Sequence, residues 1–306
     1  MDNSYLEDFD SPISLPMSQE QRSRWQEANR DWWENNPMQY DWKDGIKYEK
    51  FSVEYFQEID KRFFYATKPI MPWKEKPFDN LIPFADLKDK QCLEIGVGCG
   101  THAQLIAGHA MGFTGIDLTQ HAVQCTGARM KLSGFDHARI FRMDAERMDF
   151  PDHSFDFVWS WGVIHHSADT QQVLSEIKRV LKPGGTAIIM VYHRNFWNYY
   201  IVTGLILGII KGGFFRTRSL TQIQQYATDG ALARHYTISE WLSLAKPWFI
   251  VEKIQIFGLK AQLLPIPGGK IKNAILKVVP DRVARFLVHN GKMGTFLVAK
   301  MKTVST

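Results

Sequence analysis

Glycines 96, 98 and 100 sit in the run Glu94-Ile95-Gly96-Val97-Gly98-Cys99-Gly100, which closes one apolar stretch and precedes a helical one. Residues without a Cβ let the backbone turn sharply and let a ligand approach the start of a helix. Asp117 follows Gly96 by 21 residues, at the end of FTGIDLT. A carboxylate in that place accepts hydrogen bonds from ribose hydroxyls. Asp144-Ala145 ends the next apolar run, ARIFRMDA, where a carboxylate can receive an adenine amino group. The spacing G-x-G-x-G is one residue short of the dinucleotide pattern G-x-G-x-x-G, which separates this loop from a nicotinamide site.

A second set of residues could handle the other reactant. His165-His166 follows FDFVWSWG by a few residues, and imidazole titrates near neutral pH. Adjacent side chains point in different directions, so His165 is expected to face a substrate as a base and His166 to brace the turn. Tyr192-His193-Arg194 ends the run TAIIMVY, and Arg234-His235-Tyr236 follows an apolar insert. An arginine in either cluster could grip a carboxylate or phosphate. Trp33, Tyr40 and Trp42 could close over a substrate. Cys92, Cys99 and Cys125 have no metal-ligand spacing, so no metal site is expected.

The elements that must position these groups alternate along the chain. QCLEIGVG, FTGIDLT, ARIFRMDA, FDFVWSWG and TAIIMVY read as strands. THAQLIAGHA, HAVQCTGARMKLSG and TQQVLSEIKRVL read as helices between them. Such alternation predicts βαβ units and a parallel sheet, doubly wound through right-handed crossovers. WFIVEKIQIFG and GTFLVAKM add two late strands, one of them antiparallel. The fold class expected is α/β, with a mostly parallel seven-stranded sheet. Residues 1–85 read as an N-terminal helical cap, and residues 86–306 as the main domain with a lid-like insertion at 195–236. In the cap, Ser18 and Gln21 suit the start of one helix, and Phe51, Tyr55, Ile59 and Phe63 recur at helical intervals.

These motifs, in this order, resemble a class I S-adenosylmethionine-dependent methyltransferase of the ubiquinone/menaquinone-type and small-molecule group. EIGVGCG is similar to that family's first motif, DLT to its second, MDAERMDFPDHSFDFV to its third and fourth, and RVLKPGG to the element before its fifth strand. The resemblance covers residues 91–192. It implies S-adenosylmethionine as cofactor, with Glu94, Gly96, Gly98 and Gly100 facing its methionine part. It also implies Asp117 on the ribose, Leu118 against the adenine, Asp144 and Ala145 at the adenine amino group, and Trp161 near the sulfonium. The activity implied is methyl transfer to a small-molecule metabolite. A lipid-like quinone or membrane-associated acceptor is the alternative, and nucleic acid a more remote one.

Composition narrows the partners. The 306 residues carry 37 Lys and Arg against 32 Asp and Glu, a net charge of +5, with basic residues scattered rather than in a run. No nucleic-acid partner is expected, because a recognition domain or a basic stripe with stacking aromatics is missing. The acidic start, MDNSYLEDFD, does not read as a signal peptide, so a cytoplasmic location is expected. Residues 195–210 form an uncharged apolar run shorter than the roughly 20 residues that span a bilayer. They are expected to pack over the active-site side of the sheet, with at most a weak membrane-surface contact.

Overall fold

Alternation along each central strand sends successive side chains to opposite faces, and both faces are apolar. In the computed structural model, which describes residues 9–40, 44–68, 71, 73–217, 219–264, 266 and 269–304, this produces helices on both sides of one sheet. Trp42 lies outside the described residues. Helices α1 (Gln19–Asn35) and α2 (Val53–Thr67) come first. Strands β1 (Gln91–Ile95), β2 (Gly112–Asp117), β3 (Ala138–Arg142), β4 (Phe155–Trp161) and β5 (Leu181–His193) follow. Between them lie α3 (Thr101–Ala107), α4 (Gln120–Leu132) and α5 (Thr170–Val180).

Leu93, Val158 and Ile189 bury one face against Val173 and Ile177 of α5, and Trp241 of the later helix joins them. Cys92, Phe157, Trp159 and Ile188 bury the other face against Ala103 and Ile106 of α3 and Met130 of α4. Phe63 of α2 and residues 78–87 share this second core, so α2 is packed onto the sheet itself. Phe51 lies outside α2, because Ser52 caps that helix by accepting from Tyr55 N. At α1, Ser18 Oγ accepts from Gln21 N at 3.1 Å.

The insertion after β5 begins with a π-helix over Phe196–Ile210. It continues through α6 (Leu220–Tyr226) to a two-residue strand, β6 (His235–Tyr236). Then come α7 (Ile238–Ala245), β7 (Ile250–Phe257), α8 (Lys270–Val278), α9 (Asp281–His289) and β8 (Phe296–Lys302). The strand order is β3-β2-β1-β4-β5-β8-β7, and β8 runs antiparallel to both of its neighbours. Those are the seven strands expected. The eighth, β6, pairs parallel with the end of β5 and is too short to show a period. Among the described residues no helix is long and apolar enough to cross a membrane.

The sequence of strands reverses direction between β1 and β4. Ligands in open α/β sheets bind outside the carboxyl ends of strands at such a switch point. The glycine loop after β1 and the His165-His166 turn after β4 both open there.

Candidate active site

A cavity of about 600 Å³ opens at the switch point and runs beneath the π-helix. One lobe is built on the β1, β2 and β3 ends. Gly96, Gly98, Asp117, Leu118, Asp144, Ala145 and Trp161 all line the cavity. Gly96 has φ +79°, and a Cβ there would lie 2.2 Å from the Val163 side chain. Gly98 has φ +51° and nothing within 4 Å of a built Cβ, so it leaves open space over the loop. Gly100 is different. It starts α3, a Cβ there would press on Arg129 and Thr126 at 3.0 Å, and it does not line the cavity. Its role is packing of the loop against α4.

Asp117 is wired into this loop. Its Oδ2 accepts from Gly98 N at 3.1 Å, and its Oδ1 accepts from Thr119 N at 2.9 Å and Thr119 Oγ1 at 2.8 Å. Burial pushes its carboxyl up, against the pull of those donors. Glu94 is buried behind the loop rather than lining the cavity. Its Oε2 has no hydrogen-bond partner among the described residues, and His102 Nδ1 lies 3.9 Å from Oε1. Burial, and behind it the Asp117 charge, push the Glu94 carboxyl well up. These groups fit S-adenosylmethionine: the Asp117 carboxylate could accept from ribose hydroxyls, the glycine corner is open, and Asp144 could accept from the adenine amino group. Glu94 sits behind the cavity wall, with Oε2 unpartnered among the described residues.

Helix α1 lies across this lobe. Gln26 Nε2 donates to Asp144 Oδ1 at 2.8 Å. Glu34 accepts from Gln120 N and His121 N, at 2.7 and 3.0 Å, and so caps α4. Arg22 pairs with Asp169. Asn29 is buried, donates to the His166 carbonyl and accepts from Leu232 N at 3.0 Å. Gln26, Asn29 and Trp33 line the cavity from above, and Tyr40 stacks on Phe63 beside them. Gln26, Asn29 and Glu34 were not anticipated. Nothing in a polar helix face distinguishes residues that meet a sheet from residues that meet water.

The second lobe lies under the π-helix. Met190, Tyr192, Phe257 and Phe296 give apolar walls; Asn198, Val202, Thr203 and Leu207 descend from the π-helix. His166, His235, Gln224 and Asp229 add polar groups. Asp229 also escaped notice, because Asp229-Gly230 reads as an ordinary turn. Desolvation by the surrounding walls raises its carboxyl above the usual range.

The structure places the paired histidines opposite to expectation. His166 lines the cavity and His165 does not. His165 is fully buried behind it, with Tyr192 at 3.9 Å between ring centres and neither ring nitrogen partnered among the described residues. His166 Nδ1 lies 2.6 Å from the Leu232 carbonyl. A carbonyl only accepts, so the proton sits on Nδ1 and Nε2 keeps its lone pair. Burial pushes the His166 imidazole down to about 4 and His165 well below its ordinary range. The 3-10 turn over Ile164–His166 sets these directions.

Four other expected substrate contacts are structural. Arg234 is buried and donates to the carbonyls of Ser14, Ser167 and Ala168. It ties the N-terminal segment to the histidine turn and does not line the cavity. His193 Nδ1 contacts the Gly294 carbonyl at 2.8 Å. Arg194 pairs with Glu240, and Tyr236 packs edge-on against Trp241 in the core. The segment before β8 takes His193, helix α7 takes Arg194 and Tyr236, and backbone carbonyls of distant segments take Arg234.

A family model described as a methyltransferase domain matches residues 93–189. Phosphoethanolamine N-methyltransferase 2 of Caenorhabditis elegans is 34% identical over 115 residues, 37% of this chain and 26% of that protein. The phthiotriol/phenolphthiotriol dimycocerosates methyltransferase of Mycobacterium tuberculosis is 37% identical over 102 residues, 33% of this chain and 37% of that protein. The tRNA U34 carboxymethyltransferase of Pasteurella multocida is 30% identical over 169 residues, 49% of this chain and 52% of that one. The chain thus spans about a quarter to a half of the length of these curated relatives. In fold it is similar to the chain described as a methyltransferase in complex with the Haloferax volcanii Trm112 methyltransferase activator. That likeness has a TM-score of 0.55 at 16% identity and covers 81% of this chain and 93% of the other. The matched segment and the strand order lead to one assignment: residues 93–189 of this chain are a methyltransferase domain, set in the doubly wound fold of class I S-adenosylmethionine-dependent methyltransferases.

Proposed function

We propose that the protein transfers a methyl group from S-adenosylmethionine to a small-molecule acceptor held under the π-helix. The observation that carries this reading is the continuity of the cavity. It joins the glycine loop and Asp117 to the lobe under Asn198, Val202 and Leu207 without a break. Its volume, about 600 Å³, lies within the range of small-ligand sites, roughly 300–1,000 Å³.

When bound, S-adenosylmethionine supplies a methyl carbon already activated by its sulfonium. The task left to the chain is alignment and exclusion of water. Asp117 and Asp144 fix the adenosyl end, and α1 covers it. Trp161 and Tyr192 frame the point where the two lobes meet. The acceptor atom forms the new bond to carbon as the carbon–sulfur bond breaks, and S-adenosylhomocysteine leaves. An acceptor hydroxyl or ammonium must also lose a proton. His166, neutral and with its Nε2 lone pair unpartnered among the described residues, is the histidine placed to influence that step, and Asp229 is the carboxylate on the same lobe.

A lipid-like acceptor such as a quinone is the second reading, favoured by the apolar walls Met190, Leu207, Phe257 and Phe296. Label transfer tests both. Incubation with methyl-deuterated cofactor and cell extract should place a three-deuterium label in one small molecule of the aqueous or lipid fraction. Label confined to RNA or protein would overturn the reading.

A further inference from the structure

The π-helix is apolar on two sides. Asn198, Val202, Thr203 and Leu207 face the cavity, spaced by about one π-helical turn. Tyr200 and Leu205, which alternate with them, and Phe196 and Ile209, which flank them, are exposed. Phe215 follows, 96% exposed. An ordinary lid turns polar residues outward; this one does not.

The start of the π-helix is tied to the residues that flank α8 and α9. Trp197 Nε1 donates to the Gln262 carbonyl, and Asn198 Nδ2 donates to the Met293 carbonyl at 2.8 Å. Lys260 bridges to Asp281 at the start of α9. No described residue of α8 is buried. Yet Ile271, Ile275 and Val278, at i, i+4 and i+7, make one apolar stripe, with Ile271 74% and Val278 79% exposed. Phe286 of α9 is exposed as well.

Charge identifies what would cover this face. Segments 195–219 and 259–292 together contain ten Lys and Arg and one acidic residue, Asp281. The rest of the chain has 27 basic and 31 acidic residues, so it is net negative. All of the protein's positive excess therefore sits in the segments that expose aliphatic and aromatic side chains. Interleaved lysines and exposed aliphatics are the pattern of a surface that enters the headgroup region of an anionic bilayer. A nucleic acid would use the cations but has no use for Ile271, Val278 or Ile209.

We infer that the outer face of the π-helix with α8 and α9 is a docking surface for an anionic lipid bilayer. It seats the protein as a peripheral, not a spanning, membrane protein. Docking would set the roof of the acceptor lobe against the lipid. The inference stands apart from the methyl-transfer reading, because it is tested without cofactor or turnover.

Flotation of the full-length protein with vesicles is the test. Vesicles of phosphatidylcholine with phosphatidylglycerol should carry at least roughly tenfold more protein than phosphatidylcholine alone, and added salt should weaken the binding. Ile271→Glu with Val278→Glu should abolish flotation while S-adenosylhomocysteine binding stays unchanged, which shows that the variant is folded. Three results would overturn the inference. One is no flotation on anionic vesicles. Another is flotation that survives the double substitution together with equal capture by RNA, which would mark a nucleic-acid surface. The third is a wild-type dimer, dissolved by the same substitutions, that excludes vesicles.

Discussion

In the proposed site Asp117 would hold the loop and the ligand with the same two oxygens. Its hydrogen bonds to Gly98 and Thr119 fix the corner, and the carboxylate lines the cavity where the proposed cofactor's ribose would sit. Hydrogen bonds to a charged group contribute about 1.5–3 kcal/mol each, so Asp117→Ala should weaken S-adenosylmethionine binding roughly ten- to a hundred-fold. Calorimetry giving wild-type affinity would remove Asp117 from the site. The histidines make a different statement, about pH. His166 is buried and pushed down to about 4. The unfolded chain therefore binds a proton there between its ordinary value and 4 while the folded chain does not. By that sign, stability is lost as pH falls through this window. His166→Gln removes the term and should flatten the dependence by close to one proton, about 1.4 kcal/mol per pH unit, in urea titrations between pH 4 and 6.5. An unchanged slope would mean that His166 is not shielded as described. At this scale the sequence was informative wherever partners are local. The glycine loop, Asp117 and Asp144 each belong to a strand end and the turn after it. Arg234 was misleading because its carbonyl partners, Ser14, Ser167 and Ala168, arrive from distant segments. The histidine pair was misread because a single 3-10 turn decides which ring meets the cavity.

Helix α1 was legible as a helix, and its attachment was not. Ser18 announces its start, but the periodicity of a polar helix carries no information about which face will bury Asn29. In the fold that side chain serves two backbone groups of different segments, the His166 carbonyl and Leu232 N. The helix thereby joins the histidine turn to the end of the insertion. Asn29→Ala leaves both groups buried without a partner, at a cost of about 1–3 kcal/mol. Chemical denaturation should read that loss, and the cofactor dissociation rate should rise because the roof over Asp144 loosens. Gln26→Ala is the milder comparison, since its bonds to Asp144 and Ala168 N are both only part-buried. It should speed cofactor release with little change in stability. Equal stability of Asn29→Ala and wild type would show that α1 is held elsewhere. The π-helix follows the same lesson. Its apolar run is visible in the sequence, but the division into a cavity face and an outer face needs the wider coil, with about one extra residue per two turns offsetting the usual stripe.

The whole molecule is a sheet whose carboxyl ends are roofed by two separate pieces of chain. Helix α1 covers the adenosyl lobe, while the π-helix, α6 and residues 258–262 enclose the acceptor lobe. The two roofs meet through Asn29 and the turn at Leu232. Ligand binding acts on this arrangement in two ways. Any ligand that binds only the folded chain raises its global stability, by about 2.7 kcal/mol at a hundredfold excess over Kd, and this slows exchange of the deepest amides in β1, β4 and β5. Amides in the roofs exchange through local openings instead, and these respond only to contacts made nearby. Donor alone should therefore protect residues 96–100, the start of α4, the Asp144 loop and α1. The π-helix and residues 224–229 should keep their exchange rates until an acceptor, identified by label transfer, is added. Hydrogen exchange with S-adenosylhomocysteine, with and without acceptor, reads both steps in one experiment. Full protection of the π-helix by S-adenosylhomocysteine alone would mean that the cavity closes as a unit and that the division into a donor roof and an acceptor roof is wrong.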